Sequence, residues 1–490
     1  MTPILISIVF LAYTFLLFLI TFITSRKANN DTFYRGNRRS PWMVVAYGMV
    51  GASLSGVTFM SVPGNVLKEN FYYIPMVLGF IAGYMVVATV LLPIYYKLNL
   101  TSIYSYLDQR FGIASYKSGA VFFLISRSLG AALRMFLVVS VLHEFVFKTM
   151  GISFWMAAMI FILLILGYTL KGGIRTIVWT DTLQTTFMLL AVFLSIACIC
   201  HDLDWSFGQM LQHVKDSPFA KVIDANPMHP RFFLKQFISG LFVTITMTGL
   251  DQDMMQKNLS CKNLKDAQKN MFTFSGILLV MNMFFLLLGA ILGLYAQQKG
   301  INCVDTDQLF PTVAIRYLPP LAGFTFVIGV LSAAYSSADG ALTALTTSFT
   351  IDILGVQKKG YSERKIKKIR YSVHWSMAVF FFLLIILFNM IKNDSIINMV
   401  YDIASYTYGP LLGLFFVGIY TSWKVRDRWT PFIVLLSPLL SYILVWGCKF
   451  LFHYQFGFEI LLLNGLITVL GLYLCRVRSL NYHLKLPSEN

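Results

Sequence analysis

The segment Gly51-Ala-Ser-Leu-Ser-Gly-Val-Thr58 interrupts an apolar run, Trp42–Val62, that is otherwise long enough to cross a bilayer. Glycine and hydroxyl side chains weaken a helix, and Pro63-Gly64 closes the stretch. A later apolar run, Phe233–Leu250, carries a similar patch, Thr244-Ile-Thr-Met-Thr-Gly249, five spans further along. Small residues also serve ordinary helix packing in membranes. Two interrupted spans in corresponding places nevertheless predict two inverted halves, with a binding site where the breaks meet near mid-membrane.

A third stretch, Leu331-Ser-Ala-Ala-Tyr-Ser-Ser-Ala-Asp-Gly340, lies in another span. On a helix, Ala333, Ser336, Ser337 and Gly340 share one face, and Asp339 sits at its edge. A carboxylate near the bilayer centre costs about 2.5–3.5 kcal/mol on insertion scales. Hard oxygen ligands of this kind suit a small hard cation, which would offset that cost.

The surrounding composition agrees with a membrane chain. Of 490 residues, 57% are hydrophobic and 12% charged, about half the charge of a soluble protein, and the mean hydropathy is +0.68. The pattern predicts an all-α polytopic membrane protein with about thirteen spans, from Pro3–Thr24 to Ile460–Cys475. The first lacks a basic flank and a small-residue cleavage site, so it reads as a span and not a leader. The net charge of +17 does not point to nucleic acid. Its lysines and arginines crowd the loops after the first, seventh, ninth and eleventh spans, which places those loops in the cytoplasm. The amino terminus is then outside and the carboxyl terminus inside an integral protein of the plasma membrane (in a bacterium, the inner one).

This reading divides the chain into five parts. Residues 1–40 hold the first span and a cytoplasmic loop, 41–202 the first repeat with spans two to six, and 203–232 an extracytoplasmic loop. Residues 233–423 hold the second repeat with spans seven to eleven, and 424–490 two peripheral helices and a cytoplasmic tail. The six cysteines, Cys303 among them, show neither metal spacing nor a paired framework. No phosphate loop, nucleophile elbow or dinucleotide fingerprint is present, so the chain does not read as an enzyme.

Arg127 and Arg134 lie two turns apart on the fourth span and share a face. Buried guanidinium either grips an anionic solute or pairs internally, with Asp339 or Asp181 as partners. Asp181 follows Thr180 near a membrane edge, where a helix N-cap is the plain alternative to a cation ligand. His143-Glu144 reads as a solvated pair. Asp251, Asp253 and Gln256 stand beside Lys257 and Lys262 at a cytoplasmic helix end, where loop-anchoring salt bridges and part of an inner gate are expected.

Five further stretches carry a resemblance. They are Thr101-Ser-Ile-Tyr-Ser-Tyr-Leu-Asp-Gln-Arg-Phe-Gly112, Gly172-Gly-Ile-Arg-Thr-Ile-Val-Trp-Thr-Asp-Thr-Leu-Gln184, Gly249-Leu-Asp-Gln-Asp-Met-Met-Gln256, Ser348-Phe-Thr-Ile-Asp-Ile353 and Tyr408-Gly-Pro-Leu-Leu-Gly413. In this order and spacing the chain resembles the sodium/solute symporter family, whose members carry sugars, proline, pantothenate, iodide and sialic acid. The resemblance implies a leucine-transporter-type five-plus-five inverted repeat and Na+ as coupling ion. It implies a sodium site from the carbonyls of Gly51, Leu54 and Ala333 and the hydroxyls of Ser336 and Ser337. It also implies a second cation position at Asp181, Ser336 and Asp339, where this chain has Asp339 and Gly340 in place of the usual serines. Ser53, Ser55, Thr58, Arg134 and Thr248 become the substrate-binding candidates, with Tyr401, Ser405, Tyr406 and Tyr408 either lining the pocket or packing.

The functional expectation is a sodium-coupled symporter importing a small organic solute or anion by alternating access. Two alternatives stand beside it: a proton-coupled carrier using Asp339, and a non-accumulating solute sensor or channel-like protein. The expected partners are the solute and the lipid bilayer, not nucleic acid. Monomer and homo-oligomer are equally compatible with the sequence.

Overall fold

The computed structural model describes residues 3–26, 28–302, 306–391 and 396–477. Cys303 and the tail beyond residue 477 lie outside the described residues. Among the described residues ten helices are long and apolar enough to span a membrane. Two bent pairs, Trp42–Leu54 with Gly56–Glu69 and Phe233–Gly249 with Gln252–Leu259, each make one further broken span. The helix Ile460–Leu474 has 15 residues, or about 22 Å of rise, which is short for a perpendicular crossing.

In chain order the spans are Pro3–Ser25, the broken pair at Trp42–Glu69, Ile74–Lys97, Ile113–Met150, Phe154–Gly172 and Ile174–Asp202. The seventh is the broken pair at Phe233–Leu259, followed by Leu264–Lys299, Pro320–Ile353 and Glu363–Ile391. The eleventh is Ile396–Tyr420, the twelfth Asp427–Phe452. Helices run several residues past the apolar windows because their last turns reach water and need no hydrophobic side chains.

The packing carries the repeat. The third span packs on the seventh, and the second on the eighth. The sixth packs on the ninth, and the fourth on the eleventh. Each pair becomes the other when spans two to six are exchanged with seven to eleven, as an inverted five-plus-five repeat requires. The two breaks differ in detail. The second span breaks at Ser55 and bends by 56°. The seventh winds through its hydroxyl patch as a wide turn, Ile245–Gly249, and breaks one step later at Leu250-Asp251, bending by 64°. Asp251 restarts it as an N-cap, its Oδ1 accepting from the amides of Asp253 at 2.9 Å and Met254 at 3.2 Å.

Basic loops gather on one face. Ser40 donates its amide to the Ser260 carbonyl at 3.1 Å, and Lys358 pairs with Asp108 at 2.7 Å. Arg110 caps the eleventh span by donating to the Gly418 and Thr421 carbonyls at 3.1 and 2.7 Å. Cys261, in the same region, is buried, which pushes its thiol up to about 12. No described cysteine is in a disulfide.

Close approach of the third and seventh spans depends on missing side chains. A Cβ on Gly79 would meet the Phe237 carbonyl oxygen, and one on Gly240 the Met76 carbonyl oxygen. Backbone on backbone leaves no flexible group to retreat, so Gly79→Ala and Gly240→Ala should each destabilise by about 1–3 kcal/mol. Gly276, with nothing within 4 Å of its Cβ position, is the control, where alanine should be neutral or stabilising by up to about 1 kcal/mol. Melting of the detergent-purified variants checks this, and equal midpoints for all three would refute the packing argument.

Candidate functional site

A helix that stops leaves its last four carbonyls without intrahelical partners. Because the second span stops at Leu54, those carbonyls belong to residues 51–54, Gly51 and Leu54 among them. The ninth span packs against this end. There Ser337 donates its hydroxyl to the Ala333 carbonyl at 2.9 Å. Ala333, Ser336 and Ser337 are each 1% exposed. Gly51 is pressed on the sixth span, donating its amide to Thr185 Oγ at 3.0 Å.

Beside this lies a buried ionic chain. Arg127 pairs with Asp253 and approaches Asp251 at 3.7 Å. The other Asp253 oxygen faces Lys257 Nζ at 3.7 Å, and Lys257 reaches Asp181 at 2.8 Å. Ser336 donates to the remaining Asp181 oxygen at 3.0 Å. Tyr408 donates to Asp251 at 2.6 Å. Asp339 takes neutral donors instead: Tyr168 at 3.0 Å, Gln184 at 3.5 Å and the Gly340 amide at 2.6 Å. Four carboxylates and two cationic side chains are thus buried close together.

Several expectations change here. Asp181 stands well inside the sixth-span helix and is no N-cap. Arg127 is paired, but with Asp251 and Asp253 and not with Asp181 or Asp339. Lys257 is 1% exposed, so it belongs to the protein interior and not to the loop lysines. Its signal was local: it sits one turn after Asp253 on the resumed half of a broken span, where an i,i+4 pair is buried with its helix. Glu144 pairs with Lys148 at 3.1 Å on the surface, not with His143.

Between the two broken spans lies a cavity of about 90 Å³, below the size range of small-molecule sites. Ser53, Ser55, Thr58, Arg134 and Thr248 all line it, together with Tyr73, Tyr84, Arg127, Asn282 and Tyr401. Sequence reasoning missed Tyr73, at the N-cap of the third span, and Tyr84 and Asn282, inside the third and eighth spans, none of which carries a local mark of function. Ser405 does not line the cavity; its hydroxyl bonds the Tyr401 carbonyl at 2.8 Å. Tyr406 packs on Tyr442. Above the cavity the hydroxyls of Tyr73 and Tyr401 meet at 3.1 Å. Both tyrosines also line a second cavity, with Glu69 and Arg231, which form an ion pair there. The central space is therefore capped by a tyrosine pair and then by an ion pair.

The two cavity arginines differ. Arg127 is pinned by carboxylates. Arg134 has no ion pair or hydrogen bond among the described residues, so its donors face the cavity unengaged.

Comparison with known proteins places this arrangement. The chain is 24% identical over 422 residues to the sodium/sialic acid symporter SiaT of Proteus mirabilis, covering 81% of each chain. It is 24% identical over 409 residues to the sodium/sialic acid symporter NanT of Aliivibrio fischeri, covering 81% of this chain and 79% of that one. Human sodium-coupled monocarboxylate transporter 1 is 25% identical over 402 residues, covering 79% of this chain and 64% of that protein. Among solved structures, the substrate-bound outward-open state of a Na+-coupled sialic acid symporter superposes with a TM-score of 0.83. The pair is 22% identical, and the match covers 96% of this chain and 97% of that one. The nucleobase-cation-symport transporter Mhp1 follows at 0.56, with 14% identity and 92% and 95% coverage. The model of the sodium:solute symporter family matches residues 33–426, and the chain belongs to that family.

Proposed function

We propose that this sodium-coupled symporter imports a small organic acid, whose carboxylate is received by Arg134. The observation that carries this reading is the unengaged Arg134 guanidinium on the wall of the central cavity. Burying a guanidinium without a counter-charge is costly, and a bidentate carboxylate is its best partner. Several of the similar proteins are named for acids, sialic acid and monocarboxylates, and another for the anion iodide. Ser53, Ser55, Thr58 and Thr248 supply the neutral hydroxyls that would orient the rest of the solute.

In the same reading sodium sits where the broken second span meets the ninth. The carbonyls of Gly51, Leu54 and Ala333 and the hydroxyls of Ser336 and Ser337 provide its oxygens. Sodium holding the broken end of the second span in place also sets Ser53 and Ser55, its neighbours in the chain, against the cavity. This would couple ion and solute. The basic face is cytoplasmic, with the amino terminus outside and the carboxyl terminus inside. The repeats occupy 41–202 and 233–423, flanked by the first span, an outer loop and two peripheral helices.

Sodium should raise the melting point of the detergent-purified protein relative to choline, because a ligand bound only by the native state stabilises it by about 2.7 kcal/mol at a hundred times its dissociation constant. Ser337→Ala should remove that shift while leaving the choline midpoint nearly unchanged. An identical sodium shift in Ser337→Ala would reject the proposed ligand set.

With sodium present, a panel of small carboxylates should include compounds that add a further shift. Arg134→Met should weaken these by roughly 1.5–3 kcal/mol, about ten- to a hundredfold, as for loss of a charged hydrogen bond. Stabilisation by uncharged solutes alone, or undiminished carboxylate binding by Arg134→Met, would count against an acid substrate.

A further inference from the structure

The oxygen cluster around Asp181 has the makings of a second cation position, and it is already filled from within. Ser336 Oγ and Asp181 form a buried carboxylate–hydroxyl pair at 3.0 Å. The free carboxylate oxygen lies 2.8 Å from the ammonium of Lys257, and both side chains are 1% exposed. An ammonium at that distance takes one acceptor direction of that oxygen and brings the positive charge that a metal ion would bring.

Two features keep it there. Asp253 lies one turn before Lys257 and faces its ammonium at 3.7 Å, while Arg127 holds the opposite carboxylate oxygen. Gly340 makes room for that carboxylate. A Cβ on Gly340 would lie 2.5 Å from Asp253 Oδ1 and 3.0 Å from its carboxyl carbon. No side chain, and hence no hydroxyl ligand, fits at 340 while Asp253 stands opposite. Asp339, the remaining oxygen donor nearby, is engaged by Tyr168 and Gln184. The carboxylates that could draw in a second sodium are therefore committed to side chains that cannot leave.

We propose that the Lys257 ammonium is the resident, tethered cation of the Asp181 position. The carrier then binds a single sodium, at the site between the broken second span and the ninth. Asp253 and Gly340 are the residues that specify this count. The inference rests on the sodium site proposed above.

The test is the number of ions held by the purified full chain at saturating radioactive sodium, measured by equilibrium dialysis with sodium as the only probe. The wild-type protein should bind one ion per chain and Ser337→Ala none. Lys257→Gln, which vacates the position but leaves its carboxylates, should bind two, and Lys257→Gln combined with Ser337→Ala should bind one. Two ions on the wild type would overturn the tethered-cation proposal and leave the first site standing. A folded Lys257→Gln protein that still binds one ion would overturn it as well. No ion on the wild type would overturn both readings. Should Lys257→Gln fail to fold, the wild-type count alone decides between one ion, which supports the proposal, and two, which does not.

Discussion

A charge taken out of water is costly unless an opposite charge lies beside it, and this molecule buries a row of such pairs: Arg127, Asp253, Lys257 and Asp181. Breaking such a pair costs several kcal/mol, because the abandoned partner cannot return to solvent. The row crosses three helical segments, joining the fourth span to the resumed half of the seventh and then to the sixth. It ends at Ser336 on the ninth. The relative placement of four spans is thereby fixed by electrostatics as well as by fit. The break in the seventh span follows from the same need. Stopping at Leu250 and restarting at an Asp251 cap, the chain presents Asp251, Asp253 and Lys257 to the interior together.

The sequence stretches that looked like separate landmarks turn out to be contact partners around this row. The Thr101–Gly112 stretch meets two of the others. Ser102 donates to Asp352 at 2.7 Å, and the amide of Ile103 donates to Gln252 at 3.0 Å. Tyr104 donates to the Leu250 carbonyl at 2.8 Å, satisfying an oxygen that the helix break sets free. Tyr408 of the eleventh span closes the group on Asp251. Burial holds the Tyr104 hydroxyl in its neutral form, raising it well above the usual tyrosine range. Ile103 and Tyr104 pair backbone groups outside regular helix, and Ser102 and Tyr408 pair buried carboxylates.

Span positions and the two breaks were legible because they are written in local composition. Twenty apolar residues must cross a bilayer, and Gly51–Thr58 cannot be an ordinary stretch of one. Partnership was not legible. Arg127 and Arg134 are equivalent by helical periodicity, yet one is locked to two aspartates and the other faces a cavity. The difference lies in which helix packs opposite, which no local pattern encodes. Lys257 was misread for a related reason. Counted with the loop lysines it supports the charge rule for topology, but its carboxylate partner Asp181 lies in another span, and only the fold brings them together.

A tethered ammonium changes the energetics of transport as well as the ion count. A mobile ion bound outside and released inside delivers the free energy of its gradient, about 1.4 kcal/mol for each tenfold ratio and about 2.3 kcal/mol for each charge crossing 100 mV. Lys257 returns with the protein and delivers neither. What it supplies is local order: Asp181 and Asp253 have a cation beside them without a mobile ion. If one sodium travels with one monoanion, no net charge crosses in the loaded state. The membrane potential then adds nothing to the net driving force. Under those terms a tenfold sodium gradient supports about tenfold accumulation of the acid. The pinned Arg127 and the open Arg134 divide the work accordingly, one holding the frame and the other free to meet the solute.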